Sequence, residues 1–214
     1  CPLFTGFGED CIPYIGPKDM RLAQLMIGAG TDEAKFLRQI FFSMDITAPL
    51  YWWKEFDTYK VGTVANSCST MHTIHEKVFT LEDFSFEHLL GGDLAPLVQD
   101  PNDDLNAWSP SQIASYMVSM LNACRLKYLE ADEMVKNGTD KMSKDEAITL
   151  RKQYWWQMIQ LLPSSYNQKR TIMLNYEVLT GMYKWRKKHK LDEWREFCRW
   201  IENLPYSEII TGGN

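Results

Sequence analysis

The sequence predicts a mixed α/β (α+β) fold with a helical excess, and three observations carry that expectation. The run Arg38 to Thr47 alternates Ile40, Phe42, Met44 and Ile46 with Phe41, Ser43, Asp45 and Thr47, the period of a strand. Ser109-Pro110 and Ser143 with Asp145-Glu146 are helix starts in front of long segments without internal breakers. The order is then helix, strand, helix and several long helices, which suits a sheet covered by helices.

Each element follows from local chemistry. Residues 1–17 hold Pro2, Gly6, Gly8, Pro13, Gly16 and Pro17, and read as an irregular arm. Lys18 to Gly30 is a short helix with a glycine stop. Thr31-Asp32-Glu33 opens a brief helix to about Leu37. The strand follows and is broken at Ala48-Pro49; Leu50 to Tyr59 restarts as a helix with an aromatic stripe of Tyr51, Trp52, Phe56 and Tyr59. Thr63 to Thr70 is small, hydroxyl-rich and loop-like. Residues 84–107 read as loop, with Pro101-Asn102-Asp103-Asp104 its clearest part. Helices are expected from Ser109 to about Lys136, from Ser143 to Leu162, from Tyr166 to Tyr183 and from Asp192 to Asn203.

Composition bounds the function. The 214 residues suit one domain at ~100–200 residues per domain, so 1–214 is read as a single unit. Lys+Arg 23 against Asp+Glu 28 leaves a net charge of −5, which excludes bulk nucleic-acid binding but leaves room for a basic pocket that takes one small anion. Trp 8, Tyr 10, Phe 10 and Met 11 supply a bulky core or a stacking pocket. The five cysteines (Cys1, Cys11, Cys68, Cys124, Cys198) form no CxxC pair and no Cys/His cluster, so neither a zinc site nor a disulfide framework is suggested, and a cytoplasmic location is expected. No apolar run approaches the ~18 residues of a membrane span.

Familiar catalytic signatures are absent: there is no GxSxG, P-loop, HExxH or GxGxxG. His72, His75 and Glu76 make half a metal site without a third ligand at a telling spacing, and a polar helix start is the better reading. Gly91-Gly92-Asp93 is more readily a turn than a lid. The basic run Lys184 to Lys190 suits a phosphate or a solvated helix end equally well.

One stretch says more. From Ile46 to Met71 the chain reads ITAPLYWWKEFDTYKVGTVANSCSTM. This resembles the core of the flavin-dependent thymidylate synthases. That family runs from a strand through Ala-Pro or Cys-Pro into a helix reading Arg-Gln-Trp-x-Arg-His-Arg, then a loop x-x-Ser-x-Asn-Glu-x-Ser-x-Arg-Tyr. Placed on Pro49 without a gap, Lys54-Glu55-Phe56 fall on Arg-Gln-Trp and Thr58-Tyr59-Lys60 on Arg-His-Arg. Thr63 falls on the first Ser, Asn66 on Glu, Cys68 on the second Ser and Thr70 on Arg. Near the C-terminus Leu162-Pro163, Tyr166, Asn175 and Arg186 resemble the family's Leu-Pro…Tyr…Asn-x-Arg-Ser-Leu…Leu-Arg. Residues 84–140 are the part least like the family.

The resemblance implies a ThyX-like fold with a central sheet and long helices, assembled as a homotetramer. It implies FAD as cofactor, with NADPH as reductant, and a pyrimidine nucleotide such as dUMP as partner. Gln39, Thr58, Tyr59, Lys60, Asn175 and Glu177 stand at flavin positions, and Glu55, Lys60, Asn66, Ser67, Cys68, Ser69, Thr70 and Arg186 on the nucleotide side. Several of these depart from the family. Thr58 offers no charged fork to an anion, Lys60 only a point charge, and Thr70 replaces an Arg. Glu177 reverses the sign where the family has Arg, Gln39 stands for a His, and Gly181 for a second Asn. Cys68 is either a small loop thiol or, beside Arg186, a more nucleophilic thiolate. Two functions follow: a flavin-dependent enzyme modifying the pyrimidine C5, or a repurposed protein that binds a nucleotide, or serves in assembly, on the same fold.

Overall fold

The structure is a computed structural model that describes residues 15–67, 69–100 and 103–212. Residues 1–14 of the expected arm, Cys68, and Pro101-Asn102 of the expected loop lie outside the described residues. In chain order the elements are α1 (Pro17–Ala29), β1 (Phe41–Pro49), α2 (Leu50–Phe56), β2 (Thr63–Ser67), α3 (Thr70–Thr73), β3 (Val98–Asp100) and β4 (Asp103–Trp108). Then come α4 (Pro110–Asn137), α5 (Lys144–Leu161), β5 (Asn167–Asn175), α6 (Tyr176–Arg186), α7 (Asp192–Glu202) and α8 (Glu208–Thr211). Short 3-10 turns lie at Ala34–Gln39, Leu81–Asp83 and Gly92–Leu94. Three strands form a sheet in the order β1-β5-β2, and β3 pairs antiparallel with β4, with Val98 opposite Trp108.

The contacts divide the chain into two units: Cys1–Ser43 with Val61–Thr63 and Met173–Asn214, and Met44–Lys60 with Val64–Ile172. The second unit is built on α4 and α5, both started by a capping box. Ser109 accepts from the Gln112 amide while the Gln112 side chain returns to the Ser109 amide, and Ser143 and Glu146 do the same. The two helices pack together, and Leu121 and Met158 are fully buried in a cluster with Ile74, Phe79, Phe84 and Val118. Each such side chain contributes about 1.5–3 kcal/mol by leaving water. A second nucleus in this unit is aromatic. Trp52 and Trp53 meet edge-on at 4.9 Å, and Phe56 lies about one turn further along the same helix.

In the first unit α6, α7 and α8 bury Leu179, Met182, Trp194, Ile201 and Ile209. Gly62 here has φ +78, and a side chain on it would meet Asn175 Nδ2 and Val178 Cγ2 at 3.0 Å, so both conformation and space demand glycine.

Several expectations need correction. Tyr166 to Tyr183 is not one helix: Asn167–Asn175 is β5, and only then does α6 begin. Ile172 and Leu174 are buried while Thr171 and Met173 are exposed, a period of two stabilised by ladder bonds on both edges of a central strand. The loop expected from Thr63 is the edge strand β2 followed by α3; its residues are mostly exposed, so no apolar alternation announces it. Residues 84–107 include the β3/β4 pair, so Asp103 and Asp104 belong to a strand. β1 runs on through Ala48 to Pro49, whose extended ψ of 152° ends the strand and caps α2 at once. α2 stops at Phe56, three residues early, because Thr58 folds back and donates both its amide (3.1 Å) and its hydroxyl (2.7 Å) to the Glu55 carbonyl. The brief helix after Thr31 is the 3-10 turn Ala34–Gln39.

Candidate functional site

In the second unit, side chains on β5 organise a polar cleft. Trp53 is fully buried on α2, and its indole N–H donates to the Gln168 carbonyl at 2.9 Å. Residues 168 and 170 are two apart on a strand and so share a face. Arg170 lies with its guanidinium carbon 4.4 Å from the Trp53 ring centroid. Its Nη1 donates to Asp57 Oδ1 at 2.8 Å and its Nε to Gln168 Oε1 at 2.8 Å. Gln168 Nε2 in turn donates to Thr70 Oγ1 at 2.9 Å. Thr70, on the position of the family's loop Arg, is thus tethered through a glutamine to an arginine that sequence reading missed. The signal was the i, i+2 spacing of Gln168 and Arg170, hidden once the segment was taken as helical.

Thr70 opens on a cleft of about 300 Å³, whose wall also holds Thr47, Thr73, Lys77, Asp83 and Tyr166. Lys77 and Asp83 form an ion pair, and the Thr80 amide donates to Asp83 Oδ2 at 2.9 Å. Burial acts to raise the Asp83 carboxyl, but the bonds from Lys77 and Thr80 outweigh it and hold it below the usual carboxylate range. The bond to Asp83 raises the Lys77 ammonium, and burial pushes the Tyr166 phenol up. Lys169, also on the cleft, pairs with Asp45 at 2.7 Å. A larger hollow of about 430 Å³ beside Met142 and Leu150 contains none of the candidate residues.

The other candidate positions of this unit, on the nucleotide side and, for Thr58, Tyr59 and Lys60, on the flavin side, lie as follows. Glu55 and Tyr59 are half-buried, and Thr58, Lys60, Asn66, Ser67 and Ser69 are exposed. Asn66 and Ser67 belong to β2 rather than to a loop of free amides, and the Ser69 carbonyl accepts from the Thr73 hydroxyl. Cys68 lies outside the described residues. The His75 ring lies tilted against Tyr128 at 4.5 Å, and among the described residues no group of three or more His, Cys, Asp or Glu could hold a metal ion.

The candidate residues of the first unit have partners of their own. Asn175 is buried and caps α6, its Oδ1 accepting from the Val178 amide at 3.1 Å. Glu177 accepts from Arg38 Nε at 2.8 Å, so the reversed charge at 177 is neutralised by an arginine beside Gln39. Gln39 is exposed at the end of its 3-10 turn. The Arg186 guanidinium carbon sits 4.7 Å from the Trp194 ring centroid.

Solved structures share this mixed α/β fold. Thymidylate synthase X from Helicobacter pylori, solved with FAD and dUMP, matches this chain at a TM-score of 0.53 and 15% identity, over 92% of this chain and 82% of the other. A second structure, of flavin-dependent thymidylate synthase from the same bacterium complexed with FAD and dUMP, gives the same values. A UMP/dUMP methylase from Streptomyces cacaoi bound with 5-Br UMP is similar at 0.44 and 14% identity, over 93% and 84%. No protein-family profile and no curated protein sequence matches. At these identities the likeness is one of fold. Among the described residues no helix is long and apolar enough to cross a membrane.

The residues that the resemblance puts at flavin positions are engaged within the chain. Thr58 donates its hydroxyl to the Glu55 carbonyl, the Asn175 oxygen caps α6, and the Glu177 carboxylate is paired with Arg38.

Proposed function

We propose that this chain binds a pyrimidine nucleoside monophosphate in the Thr70 cleft, without flavin. The observation that carries this reading is the tethered Thr70 hydroxyl on a polar cleft beside Lys77 and Tyr166, at a position where the resemblance implies a nucleotide contact. The two Helicobacter pylori structures, solved with dUMP on the same fold, support the ligand class. A volume of about 300 Å³ stands at the lower end of the ~300–1,000 Å³ of small-molecule sites, which suits one nucleotide rather than a dinucleotide. Thr70 and Tyr166 supply hydroxyls to carbonyl or phosphate oxygens, while the Lys77 and Lys169 ammonium groups on the wall are each paired with a carboxylate, Asp83 and Asp45.

Calorimetric titration with dUMP, UMP, dTMP and FAD tests this reading. Saturable binding of a pyrimidine monophosphate by a colourless protein is the expected result. Co-purified FAD, seen as absorbance at about 450 nm, would refute the flavin-free reading and favour C5 modification by a flavoprotein. No heat from any of the three nucleotides would overturn the assignment of the cleft.

A further inference from the structure

We propose that Arg170 fixes the hydrogen-bond polarity of the cleft through Gln168, leaving the Thr70 hydroxyl hydrogen to be donated to whatever binds there. The identity of the occupant rests on the nucleotide reading above; the polarity does not. An arginine side chain carries donors and no acceptor. Its Nε faces one end of the Gln168 amide at 2.8 Å, so that end must be the oxygen. The amide nitrogen then faces Thr70 at 2.9 Å and donates to Oγ1. Thr70 has a single hydroxyl hydrogen, and with its oxygen already accepting, that hydrogen is left for a further acceptor. Among the described residues Thr70 Oγ1 has no second hydrogen-bond partner.

Arg170 cannot turn to relieve this order. Asp57 holds Nη1 at 2.8 Å, Trp53 lies under the guanidinium at 4.4 Å, and only 17% of the side chain is exposed. It does not line the cleft, so it is a positioning residue that acts through two others. A cleft with this polarity favours an oxygen acceptor at Thr70, since the free hydrogen faces it while one of the two oxygen lone pairs is already taken. If that acceptor is on the base, uracil, with a carbonyl at C4, is preferred over cytosine, whose C4 amine is a donor. If it is a phosphate oxygen, the base is immaterial.

Gln168→Glu is the near-isosteric test. A carboxylate at 168 accepts from Arg170 and from Thr70 alike, so the Thr70 hydrogen turns inward and lone pairs face the cleft. In calorimetric titrations with dUMP, dCMP and inorganic phosphate, the variant is expected to lose dUMP affinity by about three- to tenfold, the worth of one hydrogen bond. A gain for dCMP locates the acceptor on the base, and parallel losses for all three probes locate it on the phosphate. Thr70→Val should cause the same loss and Thr70→Ser should not. In a Thr70→Val background the further change at 168 should do nothing; an undiminished second loss would mean charge repulsion and overturn the relay. If Gln168→Glu does not fold, the Thr70 pair decides alone.

A readout that needs no ligand separates this proposal from the nucleotide reading. In wild type the Gln168 side-chain amide hydrogens should exchange slowly by NMR, and Thr70→Val should speed them. Unchanged exchange overturns the relay even if dUMP binds. If no probe binds wild type, the nucleotide reading falls, and the relay stands or falls on that amide signal.

Discussion

Replacing Asn175 by alanine separates a helix cap from a cofactor ligand. Asn175 is only 6% exposed, and its Oδ1 accepts from the Val178 amide at 3.1 Å. Loss of an N-cap costs about 0.5–2 kcal/mol, and a buried amide left without its acceptor costs about 1–3 kcal/mol. The two describe one missing bond from both ends, so they overlap rather than add. The Asn175 amide also fills the space against Gly62 and Val178, and its removal leaves a small void there. A total of about 2–3 kcal/mol is expected, or a fall in Tm of about 4–12 °C at ~2–4 °C per kcal/mol for a chain of this size. Asn175→Asp keeps the acceptor and places negative charge at the start of α6, where the helix dipole favours it, so it should retain most of the stability. Thermal and urea unfolding of wild type and both variants measures this. An alanine variant within about 0.5 kcal/mol of wild type, or an aspartate variant as unstable as the alanine one, would refute the capping role.

Other expectations follow from the same geometry. The Tyr183 hydroxyl donates to Glu202 at 2.7 Å, and that bond, with burial adding to it, pushes the phenol up to about 12. Because the folded value lies above the unfolded one of ~10, its contribution is complete below pH 10 and is lost as pH rises through 12. Tyr183→Phe should flatten the alkaline limb of a stability profile, and an unchanged limb would refute this. Cys198 is 2% exposed, and burial first, with Glu202 adding, pushes its thiol up to about 11. Iodoacetamide near neutral pH should label it only after unfolding, which peptide mass spectrometry reads; labelling in the folded chain would refute the assignment. Leu121→Ala, at a fully buried position against Met158, should cost about 2–5 kcal/mol in urea unfolding, and a loss below 1 kcal/mol would mean that the cluster is not a core. The resemblance from Pro49 to Met71 implies a homotetramer. Light scattering is expected to return four times the 25.0 kDa of one chain, and a mass of one chain would refute the homotetramer.

Elements that depend on neighbours a few residues away are legible in the chain alone. Ser109 and Ser143 announce α4 and α5 because a cap is a bond from a side chain to an amide three positions on. The alternation from Ile40 to Ile46 announces β1 because one face of the strand is half-buried and the other exposed. Strand β5 was not legible. Ile172, Met173 and Leu174 are a short unbroken apolar run that suits helix or strand alike until β1 and β2 supply ladder partners a hundred or more residues away in sequence. The same holds for the site. The resemblance from Pro49 to Met71 located Thr70, but its tether runs from Asp57 through Arg170 and Gln168, across separations of 113 and 98 residues. Glu177 read as a reversed charge, and only folding set Arg38, 139 positions away, against it. A period or a cap is written in adjacent residues, whereas a charge partner or the direction of a hydroxyl hydrogen is chosen by whichever distant group the packed chain brings within 3 Å.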